Sequence, residues 1–146
     1  MRQLIKTSLT LAAAAAITLS AASAAFAADK SLFDRLGGKP ALQAVVGELW
    51  NNVAADKRIN GRFAKTKPEV FGAQLVDFLC EASGGPCKYK GKDMAAAHKG
   101  MNLSEADFNA LAEDTVKALD KFKVPAQEKG EVMGLLGGLK GTVTNK

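Results

Sequence analysis

The chain has 146 residues, 47% of them hydrophobic and 24% charged, with a formal net charge of +5, two cysteines and one histidine. The surplus of cations is small and spread along the chain without a basic run, which excludes the charge footprint of a nucleic-acid-binding protein. Such a length supports one domain with a single core and excludes two.

Taken in chain order, residues 1–27 have the pattern of a leader: Arg2 and Lys6, the apolar "LTLAAAAAITLSAASAAF", then the small-residue site "AFA". The apolar stretch is short for a membrane span, and polar "ADKSLFD" follows it. The expectation is a signal peptide of residues 1–27 and an exported, periplasmic or secreted bacterial domain of residues 28–146, with no membrane association after cleavage.

The rest is patterned as helices punctuated by Gly and Pro. "SLFDRLGG" pairs a Ser31 cap with Asp34 and stops at Gly37-Gly38. Pro40 suits a first helical position, and Leu42, Val45, Val46, Leu49, Trp50 and Val53 follow at helical spacing. "ADKRINGRFAKT" reads as an irregular crossing that contains Phe63. Pro68 opens a helix carrying Val70, Phe71, Leu75, Phe78 and Leu79, which "SGGP" ends.

Cys80 and Cys87 frame that stop, and in an exported chain a disulfide is the ordinary outcome. On the chain-entropy account, closing so short a loop contributes roughly 2–2.5 kcal/mol. A three-ligand metal site that adds His98 is the alternative left open by counting.

A short helix is expected over Asp93 to Lys99. Ser104 and Asp107 then resemble a capping box ahead of the stripe Phe108, Leu111, Ala112, Val116, Leu119, Phe122. Pro125 opens a last helix with Val132, Met133, Leu135, Leu136 and Leu139, weakened by Gly134, Gly137 and Gly138. No segment alternates with period two, so the class is all-α.

The lone histidine lies in "GKDMAAAHKGMNLSEADF", with Met94 four residues before it on the same helical face and Met101 three after. A half-solvated helix-face histidine is the bland account. The residues around it are apolar and small, so a flat apolar ligand could approach closely. With no second ligand nearby, one imidazole cannot make a zinc site, which wants three or four. It suffices for haem, whose porphyrin supplies four nitrogens. Phe63, Phe71, Leu75, Phe78, Leu103 and Phe108 are candidates for haem walls, with ordinary core packing as the competing role. Lys67, Tyr89 and Lys92 are candidates for propionate contacts at the mouth, with plain solvation as theirs. The Cys motif of covalent haem attachment, C-x-x-C-H, is absent.

Ordered motifs decide between these accounts. "SLFDRLGGKPAL", "VVGELW", "RFA" and "GGPCKYKGKDMAAAHKGM", continued by "NLSEADFNAL" and "KFKVPAQE", resemble the group I truncated, two-over-two haemoglobins from Ser31 to about Val143. The resemblance implies a two-over-two helical sandwich around non-covalent haem b, with His98 as the proximal iron ligand and Phe63 packed on the haem. It implies short helices permitted by the two glycine pairs, and reversible binding of O2, NO or CO. The departures lie on the distal side. Trp50 stands where many members have tyrosine, Leu75 where they often have glutamine, and Phe71 at another distal site. Gln74 is one position from that glutamine. Trp50 offers one donor or simply fills space. A gas carrier or sensor is the leading expectation. The alternative is a nitric oxide dioxygenase or weak peroxidase served by a separate reductase, since no flavin or nicotinamide motif is present and no second histidine offers acid–base catalysis.

Overall fold

A computed structural model describes residues 30–144, and the expected leader lies outside the described residues. Among the described residues seven α-helices follow one another: α1 Leu32–Leu36, α2 Gly38–Ala55, α3 Pro68–Ala82, α4 Met94–His98, α5 Glu105–Lys121, α6 Ala126–Gly137 and α7 Lys140–Val143. A 3-10 turn, Asn60–Phe63, interrupts the crossing between α2 and α3. No strand occurs among the described residues, so the all-α expectation holds.

Local chemistry sets the boundaries. The Ser31 hydroxyl accepts the Asp34 N–H at 3.1 Å and starts α1. Gly37, at φ 100°, ends it in a left-handed conformation that a side chain would resist. Asp93 caps α4 by accepting the Ala96 N–H at 3.0 Å. Ser104 and Asp107 form the full capping box of α5, each side chain taking the other's backbone N–H.

Two proline positions differ from expectation by a register step or two. Pro40 is the third residue of α2, where its missing N–H would have had no helical partner anyway. Pro125 is the N-cap of α6. The Gly137-Gly138 pair stops α6 and leaves room for α7, which the apolar pattern did not announce. Phe122 lies just past the end of α5 and is 44% exposed, and Val70 is 47% exposed, so neither belongs to its expected buried stripe.

The 18 residues of α2 form a rod about 27 Å long whose apolar stripe is shared between two partners. Leu42 and Val46 pack with Val76 and Cys80 of α3. Val45, Leu49 and Val53 pack with Ala110, Ala118 and Leu119 of α5 and Val132 of α6. Each such Leu or Val contributes about 1.5–3 kcal/mol on burial. Splitting the stripe wedges α3 and α5 apart along α2. Arg35 locks α1 to α6 through Glu128 at 2.7 Å and Glu131 at 2.5 Å. No described helix is long and apolar enough to cross a membrane.

Candidate functional site

The gap left by that wedge is a cavity of about 570 Å3, within the range of about 300–1,000 Å3 common for ligand pockets. On α3, only Val76 and Cys80 are buried. Phe71, Gln74, Leu75 and Phe78 share a different face at i, i+3, i+4 and i+7, and all four line the cavity. The apolar side chains on that row are half-buried: Leu75 packs against the core and Phe71 against Trp50, and one side of each is left to the cavity. Phe63 joins them from the 3-10 turn. Across the cavity stand Met94 and His98 of α4, then Leu103, Phe108 and Leu111.

His98 occupies the last residue of α4, and its Nδ1 lies 2.8 Å from the carbonyl oxygen of Met94, one turn back. A carbonyl only accepts, so Nδ1 carries a proton, and in the neutral imidazole the lone pair is then on Nε2. Fixing one ring nitrogen on a backbone carbonyl sets both tautomer and ring orientation, as metal-bound imidazoles require.

The mouth is built from three tethers. Cys80, wholly buried in α3, is bonded to Cys87. That bond meets the disulfide expectation and leaves no thiolate for the alternative metal site. Gly85, inside the loop, is pressed so close that an added Cβ would lie 2.7 Å from both Cys80 Sγ and the Phe33 ring. Beyond the bridge, the Tyr89 N–H donates to Glu81 at 2.9 Å and its ring meets Phe78 edge-on at 5.4 Å. The Tyr89 hydroxyl donates to the Lys92 carbonyl at 2.8 Å.

Arg62 supplies the third tether, and the sequence offered no signal for it. Its guanidinium donates to the Met101 carbonyl at 3.1 Å and to Asp107 at 2.8 Å, joining the turn before α3 to the segment after His98. Asp107 is held below the usual carboxylate range, first by the Ser104 backbone N–H, then by the Ser104 hydroxyl and Arg62. Arg62, Met101 and Asp107 all line the cavity. Their partners lie 39 and 45 residues from Arg62, beyond any local pattern.

Of the residues singled out from sequence, Phe63, Phe71, Gln74, Leu75, Phe78, Tyr89, Met94, His98, Leu103 and Phe108 line one cavity together. Trp50, Lys67 and Lys92 do not. Trp50 stands behind the wall, its ring 5.5 Å from Phe71 and 6.2 Å from Phe63. It sits one residue past Leu49 on α2, rotated off the stripe that faces α5. Lys67 and Lys92 are exposed beside the mouth, next to the lining residue Thr66 and to the carbonyl that Tyr89 holds.

Haem fits this arrangement: a cavity with predominantly apolar walls, one imidazole with its Nε2 lone pair free, and cations outside the mouth. An all-helical sandwich around such a cavity is the architecture of a globin. The chain matches the bacterial-like globin family over residues 31–145. A group 1 truncated hemoglobin of Tetrahymena thermophila is 42% identical over 101 residues, covering 69% of this chain and 84% of that protein. The solved Fe(III) truncated hemoglobin of Tetrahymena pyriformis superposes with a TM-score of 0.77 at 32% identity, over 80% of this chain and all of that one. The 2/2 hemoglobin of Synechococcus, solved with covalently attached heme, gives 0.75 at 30% identity, again over 80% of this chain and all of that one. The chain belongs to the bacterial-like globin family, and its fold is that of the truncated haemoglobins.

Proposed function

We propose that the protein is a non-covalent haem b globin that binds O2, or another diatomic gas such as NO or CO, reversibly. The observation that carries this is the His98 imidazole on the cavity wall, with Nδ1–H fixed on the Met94 carbonyl and Nε2 left free for iron. Haem, when bound, supplies the metal at which a diatomic gas is held.

The chain's own residues do the rest. Phe63, Phe71, Leu75, Phe78, Leu103 and Phe108 exclude water from the macrocycle. Gln74 brings an amide N–H to the cavity as a donor for a gas that carries partial negative charge. Lys67 and Lys92 offer charge to the propionates, and Met94 and Tyr89 close the sides. Lack of a C-x-x-C-H motif favours the non-covalent form.

Electrons for ferric iron come from a separate reductase. Export as a domain of residues 28–146, periplasmic or secreted and free of the membrane, is favoured by the leader pattern and agrees with the Cys80–Cys87 bridge.

Replacing His98 with Ala tests the assignment. The variant should fold, with unchanged far-ultraviolet circular dichroism, and fail to retain haem through gel filtration. A His98→Ala protein with full haem content and the native Soret band would overturn it. Nitric oxide turnover by the O2-loaded protein then separates a dioxygenase from a carrier.

A further inference from the structure

We propose that the rim of the cavity is the docking surface for an acidic protein that donates one electron, an inference that rests on the haem assignment above. The described residues carry a net charge of +3, counting His98 as neutral. Segments 62–69 and 88–99 alone carry +5, so everything else sums to −2. Charge that looks dispersed along the chain is therefore collected by the fold, because both segments border the one cavity: Phe63 and Thr66 line it from the first, Tyr89, Met94 and His98 from the second.

Most cations elsewhere are paired with carboxylates, as with Lys39 and Asp77, Lys121 and Glu48, or Lys129 and Asp120. Lys65, Lys67, Lys90, Lys92 and Lys99 have no ion-pair partner among the described residues, and all five are exposed. Glu69 and Asp93 in the same segments offset two of these five charges and two haem propionates would offset two more, leaving a net +1 of unpaired charge at the rim, with the lysines outermost as the groups a partner meets. Among the described residues, two of the three large apolar side chains that are exposed, Val70 at 47% and Met101 at 37%, border the same segments. Exposed apolar side chains close in sequence to unpaired cations supply the two ingredients of a protein interface, an apolar contact and a polar rim. Unpaired rim cations attract an acidic partner and speed its encounter without holding it long, which suits a transient donor.

The chemistry is a single electron transfer. A reduced iron–sulfur or flavin protein with an acidic surface loses one electron, ferric iron gains it, and no bond forms or breaks.

The test uses the haem-loaded protein and an acidic plant-type [2Fe–2S] ferredoxin as the probe. Binding of fluorescently labelled, oxidised ferredoxin should weaken at least tenfold between 10 and 200 mM NaCl, about one Debye-length change from 30 to under 10 Å. The triple variant Lys65→Glu/Lys90→Glu/Lys99→Glu, which spares Lys67 and Lys92, should weaken low-salt binding at least tenfold. Lys30→Glu/Lys57→Glu, outside both segments, should change it less than twofold. Reduction by reduced ferredoxin should slow in parallel, while reduction by the uncharged radical of photoreduced 5-deazariboflavin stays unchanged in all variants. Salt-insensitive binding, or equal losses in the two variants, overturns the proposal. So does rim-dependent binding to anionic phospholipid vesicles without any to ferredoxin, which would make the rim a membrane surface. Absence of a Soret band after loading would instead overturn the haem assignment, so the two failures are distinguishable.

Discussion

Breaking the Cys80–Cys87 bridge without disturbing the packing around it should lower stability by about 2.4 kcal/mol. The bridge closes a loop of eight residues, from one cysteine to the other. For such a loop the chain-entropy relation gives about 8 cal/mol/K, or about 2.4 kcal/mol at 25 °C. Cys87→Ser removes the bond and leaves the Cys80 thiol, which is wholly buried among Leu42, Val46 and Val76, to fill its place. Adding Cys80→Ala should cost about 1 kcal/mol more, because a buried sulfur is lost and only part of its space closes. With an unfolding entropy of about 2.1 cal/mol/K per residue, 2.4 kcal/mol corresponds to a fall in Tm of roughly 10 °C. Differential scanning calorimetry and urea titration of matched, equally haem-loaded proteins would measure it. If haem affinity is unchanged, the ligand term cancels between them. Equal midpoints for Cys87→Ser and the parent, with the parent's bridge verified by intact mass, would refute the entropic reasoning. A change in urea m-value would show in addition that the bridge alters the compactness of the denatured chain.

Gln74 lines the cavity and Trp50 does not, so Gln74→Leu should speed O2 release while Trp50→Phe leaves it nearly unchanged. Losing one hydrogen bond of about 0.5–1.5 kcal/mol corresponds to about two- to twelvefold in rate. Stopped-flow release of O2 and CO would check it, with CO, a poorer acceptor, moving less; a larger effect from Trp50→Phe would reverse the assignment. Asp56 is held at about 2, first by the Arg58 side chain and then by the Arg58 backbone N–H. A lowered carboxyl pKa contributes stability above the unfolded value near 4 and loses it as pH falls towards 2. Asp56→Asn should therefore flatten the stability profile between about pH 4 and 2, leaving its shape above pH 5 unaltered, as acid titration followed by circular dichroism would show.

Much of the molecule was legible in the residues themselves. Helix caps act within four residues, so Ser31 with Asp34, and Ser104 with Asp107, state their own ends of α1 and α5. The period of α2's apolar stripe and the cysteine spacing are local as well, and both reappear in the structure. A single histidine among small apolar residues confines the candidate iron ligand to one position before any coordinates are known.

Other features depend on what a side chain meets across space, and local spacing does not encode that. Phe71, Leu75 and Phe78 look like core on a helical wheel. They line a cavity only because α2 spends Leu42 and Val46 on α3 while Val45 and Leu49 turn to α5. Trp50 sits at the register of a distal residue, yet packing places its ring behind Phe71. Arg62 reads as one more surface cation until its partners at Met101 and Asp107 are seen. The lysines of segments 62–69 and 88–99 are dispersed in the chain and gathered at one mouth by the fold. Short-range torsions and hydrogen bonds are written into neighbouring residues, whereas burial and electrostatic neighbourhood are properties of the packed chain.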